Sequence, residues 1–261
     1  MSDLFPDKLV IQALGFGPAM TARQSIERAR KILLDLETLS PWHRPFEVSG
    51  CTKETGDMPI SEDLSDFEEV VMRALHSYDD VRYFNKDNAE DWTLNLDSYS
   101  PYGFRESFTN APSAENYGSR VSVRLQASGL VDGASRDNGI DVIAIPFYEP
   151  SQSNAAWADP PVVSRLFEYF IDNFNPLKCV VFGSEQAVRI SNPNCDYTLG
   201  WLNYTRNPVV AGVFMKTGKA IPYRGGVLLK LGDDASVVTD RKAEAEMIEI
   251  ARMLTSVGVT R

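Results

Sequence analysis

Two histidines, three cysteines and 36 carboxylates are the raw material for chemistry in this 261-residue chain. His43 stands between Trp42 and Arg44 in a proline-bounded turn, and His76 falls at the expected end of a helix, where an imidazole ordinarily meets the last carbonyls. Both read as structural. No CxxC, HExxH or GxSxG occurs. Cys51, Cys179 and Cys195 are odd in number and widely spaced, which argues against a disulfide framework. Gly15-Phe16-Gly17 follows a strand and precedes a helix as a dinucleotide fingerprint would, but Met20 replaces the third glycine and Pro18 stiffens the turn. Lys216-Thr217-Gly218-Lys219-Ala220 lacks the glycine offset of a phosphate loop, and Ala220 cannot ligate magnesium, so it reads as a basic turn. The calcium-loop spacing is absent around 57–69 and 79–91. A nuclease centre needs an acidic pair with a nearby lysine on a strand. Asp141 and Glu149 bracket a strand, yet no lysine lies between residues 87 and 177. The expectation is therefore no catalytic residue, no cofactor and no metal. A carboxylate-metal hydrolase drawing on the middle third is the enzymatic alternative.

The distribution of charge says more. The net charge is −10, and residues 51–100 alone carry 13 acidic against 4 basic side chains, whereas residues 201–261 carry 6 against 9. Phosphate recognition needs clustered Lys and Arg, so direct nucleic-acid binding is not expected. The acidic segment reads either as a solvated face or as a patch that steers a basic partner. Its aromatic members Tyr83 and Trp92 are the anchors such a patch would use.

The elements that must position these residues follow from periodicity. A buried strand over 8–15 closes at Gly15, and a helix over 21–39 is capped by Thr21, with Ile26, Ala29, Leu33, Leu36 and Leu39 inward. A second helix starts at Ser61 or Ser65, with a Ser65–Glu68 capping box, and runs to His76; Leu64, Phe67, Val71 and Leu75 face inward. Strands are expected at 91–97, 119–127, 140–147, 178–183, 197–204 and 226–231. Helices are expected at 160–174, opened by Asp159-Pro160-Pro161, and at 241–256, packed through Ala245, Ile248, Ala251 and Leu254 and stopped by Gly258. Residues 98–118 read as the one long loop. The order predicts an α+β fold, a mixed and mainly antiparallel sheet flanked by about four helices, in one domain over 1–261 with a subdivision point near 98–118. No apolar run approaches the roughly 20 residues that span a bilayer, and the first one follows acidic residues rather than a basic n-region. A cytosolic chain is expected. Asn203-Tyr204-Thr205 fits the glycosylation pattern, which such a chain does not present to that machinery.

Several of these pieces resemble the immunity protein 52 family, which guards bacteria against polymorphic or type VI secreted toxins. They are the opening strand with Gly15, the helix TARQSIERARKILLDLETLSP, Trp42 with the Pro45-Phe46 turn, Gly200-Trp201-Leu202-Asn203-Tyr204-Thr205, and RGGVLLKLGDD from Arg224 to Asp234 before a C-terminal helix. The resemblance implies an α+β inhibitor without catalytic residues, paired with a toxin that is often a nuclease of restriction-endonuclease type. A nuclease must carry a positive groove, which an acidic segment complements. The expected partner is a basic cognate toxin domain, with no membrane and no direct nucleic acid, and with homo-oligomerisation left open. The candidate partner-binding residues are Glu62, Asp63, Glu69, Asp79, Asp80, Tyr83, Asp87, Glu90, Asp91 and Trp92. The non-enzymatic rival is an adaptor for an endogenous basic protein.

Overall fold

The computed structural model describes residues 9–16, 18–40, 42, 44–50, 56–82, 94–97, 99, 103–110, 121–127, 137–144, 159–190, 195 and 197–259. Among them are ten strands and six helices, in an α+β arrangement with two antiparallel sheets. The chain divides into two compact units: a middle unit, Phe16–Ile140, and a terminal unit, Met1–Gly15 with Asp141–Arg261. The strand β6 (Asp137–Ala144) carries the chain from one unit to the other.

In the middle unit, β2 (Phe46–Ser49), β3 (Asp57–Pro59), β4 (Phe104–Asn110) and β5 (Val121–Ala127) pair antiparallel in the order β3-β2-β4-β5. Two helices, α1 (Ala22–Leu39) and α2 (Phe67–Arg82), pack on this sheet. α1 starts where expected: the Thr21 side chain accepts from Gln24 N while the Gln24 side chain accepts from Thr21 N, a complete capping box. Its predicted apolar stripe is buried through Ile26, Ala29, Leu33 and Leu36. Phe67 of α2 stacks on Phe108 of β4 with centroids 5.8 Å apart, and Trp42, 1% exposed, stacks on Phe46.

In the terminal unit, β1 (Leu9–Phe16), β7 (Lys178–Gly183), β8 (Leu202–Thr205), β10 (Gly226–Lys230) and β9 (Ala220–Tyr223) pair antiparallel in that order. The helices are α3 (Pro160–Phe174), α4 (Ser184–Ile190), α5 (Pro208–Lys216) and α6 (Arg241–Ser256). The Gly200–Thr205 segment is the bracket of this unit. Trp201 is 1% exposed, and its Nε1 donates to Gly232 O; the Tyr204 hydroxyl donates to Arg224 O. The Asn203 amide, fully buried, accepts from Gly200 N at 2.8 Å and donates to Gly200 O and Leu229 O. A Cβ on Gly200 would overlap the Val181 carbonyl, and one on Gly226 would lie 2.5 Å from Thr205 O. The glycosylation-like asparagine is thus a core hydrogen-bonding residue.

Several expectations need correction, among them the strand expected at 197–204, of which only Leu202–Thr205 forms. Helices α4 and α5 were not predicted. Leu94–Asp97 is not a strand but a turn, because the Asn95 side chain accepts from Asp97 N and offers the backbone a local alternative to a ladder. The long loop contains β4, whose inward series Phe104, Glu106, Phe108 is broken in sequence by a carboxylate. The inner stripe of α6 is Ala243, Met247, Ile250, Ala251 and Leu254, while Ala245 and Ile248 are exposed, one helical position away from the expected register. No helix among the described residues is long and apolar enough to cross a membrane.

Candidate functional site

Residues 61–66 form a compact turn before α2, in place of the expected first helical turn. Leu64 takes φ +59° and buries its side chain to 4% exposure, which throws its acidic neighbours outward. Asp63 accepts from Ser65 N at 3.0 Å, and Asp66 accepts from Ser61 N and from the Ser61 hydroxyl at 2.9 and 2.6 Å. The hydroxyl and amide of Ser65 hold the Asp63 carboxyl below the usual carboxylate range, and those of Ser61 do the same for Asp66. Both therefore stay charged while serving as turn caps. Ser65 and Glu68 do not form the predicted capping box: Ser65 N is bonded to Asp63, and Glu68 lies 3.6 Å from Arg23.

Arg44 ties this turn to α1. Its guanidinium meets both oxygens of Glu37, at 2.7 and 3.1 Å, and donates to the backbone carbonyl of Glu62. On α2, Glu69 pairs with Arg73 one turn on, at 2.8 Å. Arg23 bridges Glu68 and Asp97. The Arg23 and Arg73 pairs are well exposed, so each adds little to stability, while Glu37 in the Arg44 pair is half-buried. They form an acidic face in which Arg23, Arg44 and Arg73 already occupy part of the negative charge. A basic partner has to share these carboxylates or displace those arginines.

Of the candidate partner-binding residues, Glu62, Asp63 and Glu69 are exposed and brought together at the start of α2. Asp79 and Asp80 belong to the C-terminal half of α2, and their side chains lie outside the described residues, as do Tyr83, Asp87, Glu90, Asp91 and Trp92. Among the described residues, no group of three or more His, Cys, Asp or Glu is placed to hold a metal ion.

The residue that periodicity did not single out is Glu106. Its carboxyl sits in the middle unit's core at 1% exposure, and Oε1 accepts from the Ser25 hydroxyl at 2.6 Å. Oε2 is buried without a hydrogen-bond partner among the described residues. Burial pushes this carboxyl from the usual 4.5 up to about 7, against the opposing pull of Ser25 and Arg28. Ser25 is buried as well, at 3% exposure. A signal was available: on a strand that alternates Phe104, Glu106, Phe108, the carboxylate has the parity of the apolar residues.

No protein-family model matches the chain, and no curated protein does. Among solved structures the chain is similar to the Pseudomonas aeruginosa T6SS protein PA0821, with a TM-score of 0.49 and 9% identity, over 94% of this chain and 73% of that one. A likeness of that degree says nothing about chemistry, which resides in sites rather than in folds.

Proposed function

We propose that this chain is a cytoplasmic, non-enzymatic immunity protein that binds a cognate secreted toxin and neutralises it by direct contact. The toxin would be a basic domain, a nuclease of restriction-endonuclease type. The observation that carries the reading is the cluster of Glu62, Asp63, Glu68 and Glu69 on the turn and first helical turn of α2, in the segment that holds nearly all the net negative charge. Such a face raises the association rate of a positive partner and sets its orientation, while aromatic anchors slow dissociation. Support also comes from the motifs behind the family resemblance. Gly200–Thr205 and Arg224–Asp234 act as fold-building parts in the terminal unit, as motifs shared across inhibitors of varied toxins should.

The test is co-expression of the chain with the product of the gene adjacent to its own, followed by affinity purification and a count of viable cells. The expected result is a stoichiometric complex with restored growth. The absence of both complex and rescue would overturn the reading, and stabilisation by magnesium or manganese would then favour the carboxylate-metal hydrolase.

A further inference from the structure

We infer that Glu106 is a proton-sensitive latch, fastening the first two turns of α1 to the sheet of the middle unit while protonated and loosening them when it ionises. The geometry is that of a single polar contact inside an apolar layer. Along β4, Glu106 lies between Phe104 and Phe108, both buried, and its partner across β5 is Leu125, also buried. The Ser25 hydroxyl on α1 donates to Oε1, and Oε2 has no hydrogen-bond partner among the described residues. An ionised carboxylate leaves that oxygen charged, desolvated and unbonded, the costliest state for a buried group. A protonated carboxyl leaves it neutral.

Among the described residues, charged groups that could compensate are few on the elements packed against β4. From α1, Arg28 is the cation whose field acts on Glu106, and it is only partly buried. From α2, the buried residues among the described side chains are Phe67, Val70, Val71, Ala74, Leu75 and Ser77, none of them titratable. From β5 the same face presents Val123, Leu125 and Ala127, and from β2 it presents Phe46 and Val48. The midpoint near 7 places the change of state within the physiological range.

The same helical turn reaches the acidic face. Arg23, two residues before Ser25, donates its amide to Leu96 O at 2.8 Å and its side chain to Asp97, and pairs with Glu68. Loosening this turn therefore frees carboxylates on α2 and at Asp97. The latch itself does not rest on the docking role, and it stands or falls on the middle unit alone.

The experiment is amide hydrogen exchange read by mass spectrometry on the full chain between pH 5.5 and 8.5, corrected for the intrinsic pH dependence of exchange. The segment followed is 22–39, with 241–256 of the terminal unit as the reference. Protection of 22–39 in the wild type is expected to fall on the order of tenfold or more across that range while 241–256 holds steady. In Glu106→Gln, which keeps the shape and removes the titration, protection of 22–39 should not change with pH. A wild type with flat protection, or a variant with the same pH dependence as the wild type, overturns the latch. Should the variant not fold, side-chain carboxyl NMR of the wild type decides. A Glu106 midpoint that coincides with the exchange transition upholds the latch, and one near the ordinary 4.5 overturns it.

Discussion

Asn203 in the terminal unit and Glu106 in the middle unit are both buried polar side chains at the centre of a sheet, and they are provisioned differently. Asn203 is neutral, and both ends of its amide are bonded, to the two backbone groups of Gly200 and to Leu229 O. Glu106 is ionisable, receives one hydroxyl, and keeps an oxygen without a partner. A fully satisfied buried polar group specifies one backbone arrangement, whereas a half-satisfied one leaves the element that supplies its single bond open to control by protons. The terminal unit thus holds a fully bonded buried amide at Asn203 and the middle unit a half-bonded buried carboxyl at Glu106, and the acidic face belongs to the middle unit.

The sharpest way to break this contrast is at Gly200. Gly200→Ala puts a methyl group into the Val181 carbonyl, backbone against backbone, with no flexible neighbour to yield. A loss of about 4 kcal/mol or more, or failure to accumulate as folded protein, is expected in a denaturant titration. Asn203→Leu comes next. It strands Gly200 N and Gly200 O in the core, and a loss of about 3 kcal/mol, the same at pH 5.5 and 8.5, is expected from the same titration.

Glu106→Gln should differ in kind. The folded chain keeps the Glu106 proton up to about 7, while the unfolded chain releases it near 4.5. The stability contributed by the neutral carboxyl is then fully present below about 4.5 and is lost as pH rises through about 7. This is opposite to the usual behaviour of a carboxylate in an ion pair. At about 1.4 kcal/mol for each pH unit between those values, the loss is on the order of 3 kcal/mol by pH 8.5. Relative to the wild type, Glu106→Gln should be close to neutral at pH 5 and stabilising at pH 8.5, checked by thermal unfolding at both. Equal differences at the two pH values would place Glu106 in the same class as Asn203.

Much of this architecture could be read in the sequence, and the failures share a cause. Helices with a continuous apolar stripe and a cap, such as 22–39 from Thr21, were legible because local chemistry and tertiary burial agree there. Strand β4 was lost inside an apparent loop because Glu106 sits at an inward position. The feature that hid the strand is therefore the feature that gives the middle unit its titratable core. The α2 start was misplaced because Asp63 and Asp66 stitch a turn that competes with the helix, and no periodicity reports such side-chain bonds. The short helices α4 and α5 lie between strands where seven and nine residues give too few turns for a stripe to show. Of the candidate site, the exposure of Glu62, Asp63 and Glu69 was legible from the outer positions of the α2 pattern. Their engagement with Ser65, Arg44 and Arg73 was not, since those contacts depend on the turn and on a distant segment.

The smallest effect on stability is expected on the acidic face, and there the functional claim is at stake. Glu62→Gln, Glu68→Gln and Glu69→Gln together should change unfolding by no more than about 1 kcal/mol, since exposed charges and their pairs contribute little. The decisive measurement is the association rate of this threefold variant and of the wild type with the adjacent gene product, at low and at physiological salt. The docking role predicts a wild-type rate that falls steeply with salt, and a variant rate on the order of tenfold lower at low salt with a flatter salt dependence. Identical rates with identical salt dependence would contradict it and leave the acidic segment as a solvated surface.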